Sequence, residues 1–355
     1  MNHNVLSAGS IPSLRTAALA VAIALPFLSS TPALAQTAAQ RAATALDQLV
    51  AAAKPEGEVT FYSAMPESAT KRVSDAFTAK YGIRTQFVRV SSTALMQRYA
   101  TESEAGNTAA DLVFVSAGYA TVTFANDAIK KGWVESVSTA GIPVIMAGTY
   151  PSKFNYGPTA VAGIAPWHIS YNTDKVKGAD IPKDWKDLAN PKWKGQLLLT
   201  NPAASDAYAD FWAAILDRYG EGFFAQLRAN APRQYGDGIQ ATQGLAAGEG
   251  SFAPPAVGAM VQGPASKGAP LAMAFVDYTT GVEMQVMLTA RAKAKHPNAA
   301  RLMTNYVLSE EGNRVFNDDP GTVTLYDTSK LPKEYQMGKP GNAARRAEFQ
   351  KLLGF

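Results

Sequence analysis

Val59-Thr-Phe-Tyr62, preceded by Gly57 and followed by Ser63-Ala-Met-Pro-Glu67, carries the reading of the fold. A short run of β-branched and aromatic residues giving way to small and polar ones predicts a strand, a loop and then a helix. The helix is expected over Ser68 to Tyr81, with Val73, Ala76, Phe77 and Tyr81 on one face and Gly82 closing it. Upstream, the Ala-rich segment Thr37 to Lys54 predicts another helix. Downstream, Arg84 to Val90 alternates as a second strand, Ser91-Ser92-Thr93 opens a helix to about Ala105, and Asp111 to Val115 forms a third strand ending at Ser116-Ala-Gly118. Strand, helix, strand, helix, strand predicts an α/β unit built on a parallel sheet with right-handed crossovers.

Three times a strand ends in serine and small residues at the start of a helix. In an open α/β sheet those ends share one edge, and ligands bind there. Small side chains let backbone N–H groups approach a ligand, and helix N-termini favour negative charge. Serine is also a good helix cap, so the pattern leaves both roles open.

A second unit follows. Ile164 to Tyr171 reads as a strand, Asn172 to Val176 as a turn, and Gln196 to Thr200 as a strand running into Asn201-Pro-Ala-Ala-Ser205 and an amphipathic helix, Asp206 to Tyr219. A helix after Gly236-Asp-Gly238, an apolar stretch Phe252 to Met260, strands over Leu271 to Val276 and Val282 to Ala290, and a helix over Asn298 to Leu308 complete it. A Pro- and Gly-rich tail ends in a short helix near Arg345 to Leu353.

Residues 1–35 combine one basic residue, Arg15, an apolar run and Ala33-Leu-Ala35, the pattern of a cleavable secretory signal with cleavage after Ala35. Removing 35 of 355 residues leaves 320, enough for two domains, and lowers the net charge from +4 to +3. The chain has no cysteine, hence no disulfide and no lipid-modified cysteine. An exported, untethered protein of the periplasm is the expectation. Basic residues are interleaved with acids throughout, which argues against a nucleic-acid partner.

The chain resembles the periplasmic ferric-ion-binding type of solute receptors of ABC transporters. The strings that carry this are Val59-Thr-Phe-Tyr-Ser63, Phe77-Thr-Ala-Lys-Tyr-Gly-Ile83, Ala110-Asp-Leu-Val-Phe114, Tyr171-Asn-Thr-Asp-Lys-Val176, Asn190-Pro-Lys-Trp-Lys-Gly195 and Lys295-His-Pro-Asn-Ala-Ala-Arg-Leu302, running into Leu308-Ser-Glu-Glu-Gly312. The resemblance implies a two-lobed, type II periplasmic-binding fold, each lobe a mostly parallel sheet flanked by helices. It implies lobes over 36–165 with about 283–325 and over 166–282 with about 326–355. Two crossing strands, near Ile164 to Tyr171 and near Phe275 to Met287, would join them around a cleft that closes like a hinge. It further implies a monomer that hands a small-molecule solute to an inner-membrane permease, with no cofactor.

The resemblance breaks at the metal ligands. Iron-binding relatives use two adjacent tyrosines, a histidine and a carboxylate. Aligned through Ala247-Gly-Glu-Gly250, the tyrosine positions fall on Gly258 and Ala259, the histidine position on or beside Met65, and the carboxylate position on Ser116. A thioether is too soft for Fe(III). The expected solute is therefore organic, an anion such as a carboxylate or phosphonate, held without metal. Iron or an iron chelate stays open through Tyr119, Tyr208 or Tyr278.

The expected ligand-facing residues are Ser63, Met65, Ser91, Ser92, Ser116, Asn201, Ser205, Gly258 and Ala259, with Pro254, Pro255 and Met260 as an apolar part. Trp167, His168, Asp277 and Tyr278, on the presumed hinge strands, are added as candidates, although Trp167 and Tyr278 read first as hinge packing, His168 as a hydrogen-bonded structural residue and Asp277 as a group that can pair across the hinge. Arg89 and Arg98 are left out, their phases being equally compatible with solvent. Catalytic signatures are missing: the chain has no Cys nucleophile, G-x-S-x-G elbow, H-E-x-x-H, P-loop or G-x-G-x-x-G after a strand, and only three histidines. A serine-type hydrolase built on His168 is the alternative from another class.

Overall fold

The computed structural model describes residues 37–65, 67–231, 233–319 and 321–355. The expected signal segment lies outside them. Helix α1 (Ala38–Ala53) opens on Thr37, whose side chain accepts from Gln40 N while the Gln40 side chain accepts from Thr37 N, a reciprocal cap. The anticipated alternation follows: β1 (Glu58–Ser63), α2 (Glu67–Tyr81), β2 (Arg84–Arg89), α3 (Ser92–Glu104), β3 (Leu112–Val115) and α4 (Tyr119–Lys130). Next come β4 (Val134–Glu135), α5 (Pro143–Met146), β5 (Ala160–Pro166), β6 (His168–Asn172), β7 (Leu198–Thr200) and α6 (Asp206–Asn230). The rest is β8 (Arg233–Tyr235), α7 (Gly238–Ala246), β9 (Phe252–Ala256), α8 (Gly258–Ser266), β10 (Leu271–Ala274), β11 (Tyr278–Thr279), β12 (Gly281–Thr289), α9 (Pro297–Leu308), α10 (Glu310–Phe316), β13 (Glu334–Tyr335) and α11 (Arg346–Leu353).

The first sheet runs β2-β1-β3-β12-β4, with β5 also on β12. β1 pairs parallel with both β2 and β3, as strand–helix alternation requires. β12 arrives from far along the chain and pairs antiparallel with β3, β4 and β5, so the sheet is mixed. The second sheet, β10-β6-β9, is antiparallel in both pairings, which corrects the mostly parallel sheet expected there. A parallel bridge from Leu197 to Phe252 connects it to the parallel pair β7-β8. The class, mixed α/β, stands.

The two larger of four apolar cores among the described residues lie on the two sheets. The first gathers Phe61, Phe77, Phe114, Leu288, Tyr306 and Leu325; the second gathers Trp167, Trp185, Phe211, Trp212, Phe252 and Phe349. Burying each such side chain contributes about 1.5–3 kcal/mol of apolar transfer free energy. The tail touches both: Leu331, Tyr335 and Met337 pack on the first core, Phe349 and Leu353 within the second.

Three elements differ in detail from expectation. The single strand read over Ile164 to Tyr171 is two, β5 and β6, interrupted at Trp167, where the chain passes from the first sheet to the second. The second connecting strand, read from Phe275, begins its pairing with β5 only at Gly281. There the strands lie so close that a Cβ on Gly281 would sit 2.8 Å from Ala165 O. Trp167 N donates to Thr280 O at 3.0 Å and Thr279 Oγ1 to Trp167 O at 2.9 Å, which fixes the crossing. Helix α6 continues past Tyr219 to Asn230 through a kink at Gly220, whose φ is 71°.

Candidate functional site

The carboxyl ends of β1, β2 and β3 carry Met65, Arg89 and Ser116 to one wall of a cavity of about 280 Å³. The opposite wall comes from the first turns of α6 and α8: Ser205, Tyr208, Val257, Ala259 and Met260. Its floor is the strand crossing, with Gly163 to Ala165, Trp167, Val282 and Met284, and the end of α10 and the segment after it close it with Phe316, Asn317, Asp319 and Thr322. That segment reaches the cavity because Val323 bridges to Ile164 on β5.

Of the residues expected at the ligand, the structure brings Met65, Ser116, Trp167, Ser205 and Ala259 together here, along with the apolar candidate Met260. Ser63, fully buried, lies 3.0 Å from Thr70 Oγ1 and accepts from Met65 N at 3.2 Å, so it shapes the turn after β1. Ser92 Oγ lies 3.0 Å from Ser116 Oγ and accepts from Ser116 N, tying the ends of β2 and β3 together, while Ser91 is the N-cap residue of α3. Asn201 caps Ala203 N at 2.9 Å and accepts from Gln350 Nε2 at 3.1 Å. Gly258 packs against Gly321, where a Cβ would meet the Gly258 Cα at 3.1 Å. Pro254 and Pro255 lie within buried β9.

His168 and Asp277 line a different, larger depression of about 750 Å³, with Phe275, Lys330 and Pro332. His168 Nδ1 accepts from Val276 N at 3.3 Å, its ring meets Phe275 edge-on, and burial lowers its pKa to about 4, which keeps it neutral. Asp277 pairs with Lys333 at the surface, 3.2 Å apart. Tyr278 donates to Ala214 O at 3.0 Å beneath the Arg218 guanidinium. The two depressions share Asn317, Asp319 and Thr322. We place the candidate site in the smaller one, because strand ends and helix starts converge on it from both sheets.

Charge in that cavity is sparse. Arg72 binds Asp319 through both terminal nitrogens, at 3.0 and 3.2 Å, and neutralises it. Arg89 touches only Met65 O, through Nε at 3.4 Å, and among the described residues its terminal nitrogens have no partner. Tyr208 lies parallel to Trp167, ring centroids 4.9 Å apart, and burial pushes its phenol pKa upward while Gly238 N and Thr200 engage its oxygen. Asn317 Nδ2 donates to Ala162 O, and Thr322 Oγ1 to Asn317 O, each at 2.8 Å. These polar side chains are thus committed to the protein itself. Among the described residues that line the cavity Tyr208 is the single phenol and Asp319 the single carboxylate, a donor set poor for a hard trivalent ion. Among the described residues no three His, Cys, Asp or Glu side chains cluster to hold a metal.

Beside the crossing lies a buried acidic group. Glu283 on β12 accepts from Tyr156 OH at 2.7 Å and Tyr335 OH at 3.3 Å. Asp210 on α6 accepts from Tyr119 N at 3.2 Å and Asn342 Nδ2 at 2.8 Å. Burial raises the pKa of both, Glu283 to about 7.

Residues 107–336 match the family model described as bacterial extracellular solute-binding protein. The fold is similar to the substrate-binding protein of an ABC transporter from Agrobacterium tumefaciens, at TM-score 0.68 and 13% identity over 83% of this chain and 94% of that one. It is similar to iron-bound HitA from Pseudomonas aeruginosa, at TM-score 0.65 and 15% identity over 84% and 99%. It is also similar to AfuA from Actinobacillus pleuropneumoniae with fructose-6-phosphate bound, at TM-score 0.61 and 19% identity over 84% and 97%. At these identities the likeness is one of fold, the two-lobed periplasmic-binding type.

Proposed function

Since the chain belongs to the bacterial extracellular solute-binding protein family, we propose that its 280 Å³ cavity holds a small organic anion, which the protein hands to the inner-membrane permease of an ABC importer. The observation that carries this reading is the cavity itself: walls from both sheets, a strand crossing as floor, one uncommitted cation and no set of hard anionic donors. The protein is then exported to the periplasm, with its signal removed after Ala35, and binds and releases its solute chemically unchanged.

In this reading the lobes are 36–165 with about 283–325, and 166–282 with about 326–355. The two separate cores support that partition, although Leu331, Tyr335 and Met337 pack on the first. The crossing at Pro166–Trp167 and Thr280–Gly281 is the hinge.

A thermal-shift panel of organic acids, phosphonates, polyamines, thiamine and ferric salts tests the reading. A solute bound only by the folded state stabilises by RT ln(1 + [L]/Kd), about 2.7 kcal/mol at one hundred times Kd. The expected result is a higher melting temperature with an organic anion. A response confined to ferric salts would refute it.

A further inference from the structure

We infer that the solute is a monocarboxylate with a compact apolar body, such as a single aromatic ring or a branched chain, and that Arg89 is the residue that selects its charge. This rests on the solute-receptor reading above and narrows it to a chemical class.

The charge argument is a count of what is free. Among the described residues the cavity wall contains one cation and one anion, and the anion is held bidentately by Arg72 from outside the wall. That leaves Arg89 alone, at the mouth, with its planar pair of terminal nitrogens unpartnered among the described residues and its Nε steered by Met65 O. A guanidinium fork matches one carboxylate bidentately. A phosphoryl dianion calls for further cations or a cluster of free N–H donors beside the one guanidinium, and the hydroxyls of this wall are partly engaged: Ser205 Oγ accepts from Ala207 N, Ser116 Oγ shares one hydrogen bond with Ser92 Oγ, and Thr322 Oγ1 donates to Asn317 O.

The body argument is one of surface and size. Thirteen of the twenty lining residues are Gly, Ala, Val, Ile, Met, Phe or Trp. The Trp167 indole, stacked on Tyr208, offers a flat apolar wall. Met65, Met260 and Met284 add three thioethers, polarizable and able to adapt around a ring. A sugar phosphate would strip water from many hydroxyls and find few partners. The volume, about 280 Å³, also falls just below the usual range of small-molecule sites, about 300 to 1,000 Å³.

Titration calorimetry on the full mature chain provides the test, with benzoate, 3-methylbutanoate, benzamide, phenylphosphonate and fructose 6-phosphate as probes. Benzoate or 3-methylbutanoate should bind, and benzamide, of the same shape without the charge, at least tenfold more weakly. Arg89→Ala should lower carboxylate affinity at least tenfold without changing unliganded melting, since Arg89 is exposed. Arg89→Lys should recover part of the loss, because charge returns without the fork. Phenylphosphonate or fructose 6-phosphate binding more tightly than both carboxylates, or undiminished carboxylate binding by Arg89→Ala, would overturn the inference and leave the receptor reading standing. If no carboxylate binds while a phosphonate or sugar phosphate does, the inference fails alone; if only ferric salts, polyamines or thiamine bind, the organic-anion reading fails with it. If no solute of any class binds, both fail.

Discussion

Gly118 has φ 56° and ψ −143°, backbone that only glycine adopts readily, and a Cβ there would lie 2.1 Å from Asp210 Oδ2. This approach lets Tyr119 N at the start of α4 donate to an acid on α6. Gly118→Ala should cost about 2–4 kcal/mol in urea unfolding, from backbone strain plus overpacking; a cost below 0.5 kcal/mol, the range of neutral surface changes, would show that the contact is slack. At this scale the sequence was informative where a rule of topology applied. Ser116 follows β3 directly, Met65 follows β1 after Ala64, and Ser205 caps α6 after the short turn that leaves β7; all three reach the cavity. Arg89 also ends a strand, but at an exposed edge position whose alternation reads equally as solvent, so its charge pointed nowhere in particular. Asn317, Asp319 and Thr322 follow a helix late in the chain, and composition marks them only as loop. Their arrival depends on the Val323–Ile164 bridge, a pairing 159 residues apart that no local pattern encodes.

Among the elements, β1 to β3 were legible because each strand and its crossover helix are contiguous in sequence. β12 was not placed by pattern alone, since an apolar run does not name its partner strand, and its insertion beside β3 converts a parallel sheet into a mixed one. The break between β5 and β6 at Trp167 was hidden for a related reason: both halves are buried and apolar. The elements at the crossing also carry opposed titrations. Glu283 on β12 goes from 4.5 to about 7, so the fold holds a proton that the unfolded chain releases, and its contribution is full below pH 4.5 and lost as pH rises through 7. His168 on β6 falls from 6.5 to about 4, so its contribution is full above 6.5 and lost as pH falls through 4. Each amounts to about 3 kcal/mol, and over pH 4.5–6.5 they offset each other. Glu283→Gln should therefore show stability rising with pH across that window, and His168→Asn stability falling with it, in denaturant titrations of both variants. Parallel slopes in the two would contradict this assignment.

For the whole molecule, the fold class and the two-lobed architecture followed from strand–helix alternation and from strings spread over Val59 to Gly312. The second sheet's antiparallel pairing and the tail's division between two cores depend on long-range packing and were visible only in three dimensions. A receptor with its solute between two cores should gain stability in proportion to ln[L] at saturating concentrations. A melting temperature that stops rising once one equivalent is bound would instead indicate a solute that also binds the unfolded chain. The location of that solute is the decisive quantity. A crystal structure of the protein with the tightest-binding organic acid should place its carboxylate on the Arg89 guanidinium and its body against Trp167 and Met260, with no metal in contact. Density for the acid beside Phe275 and Lys330 instead, or an Fe(III) ion bridging it to Tyr208, would contradict the reading.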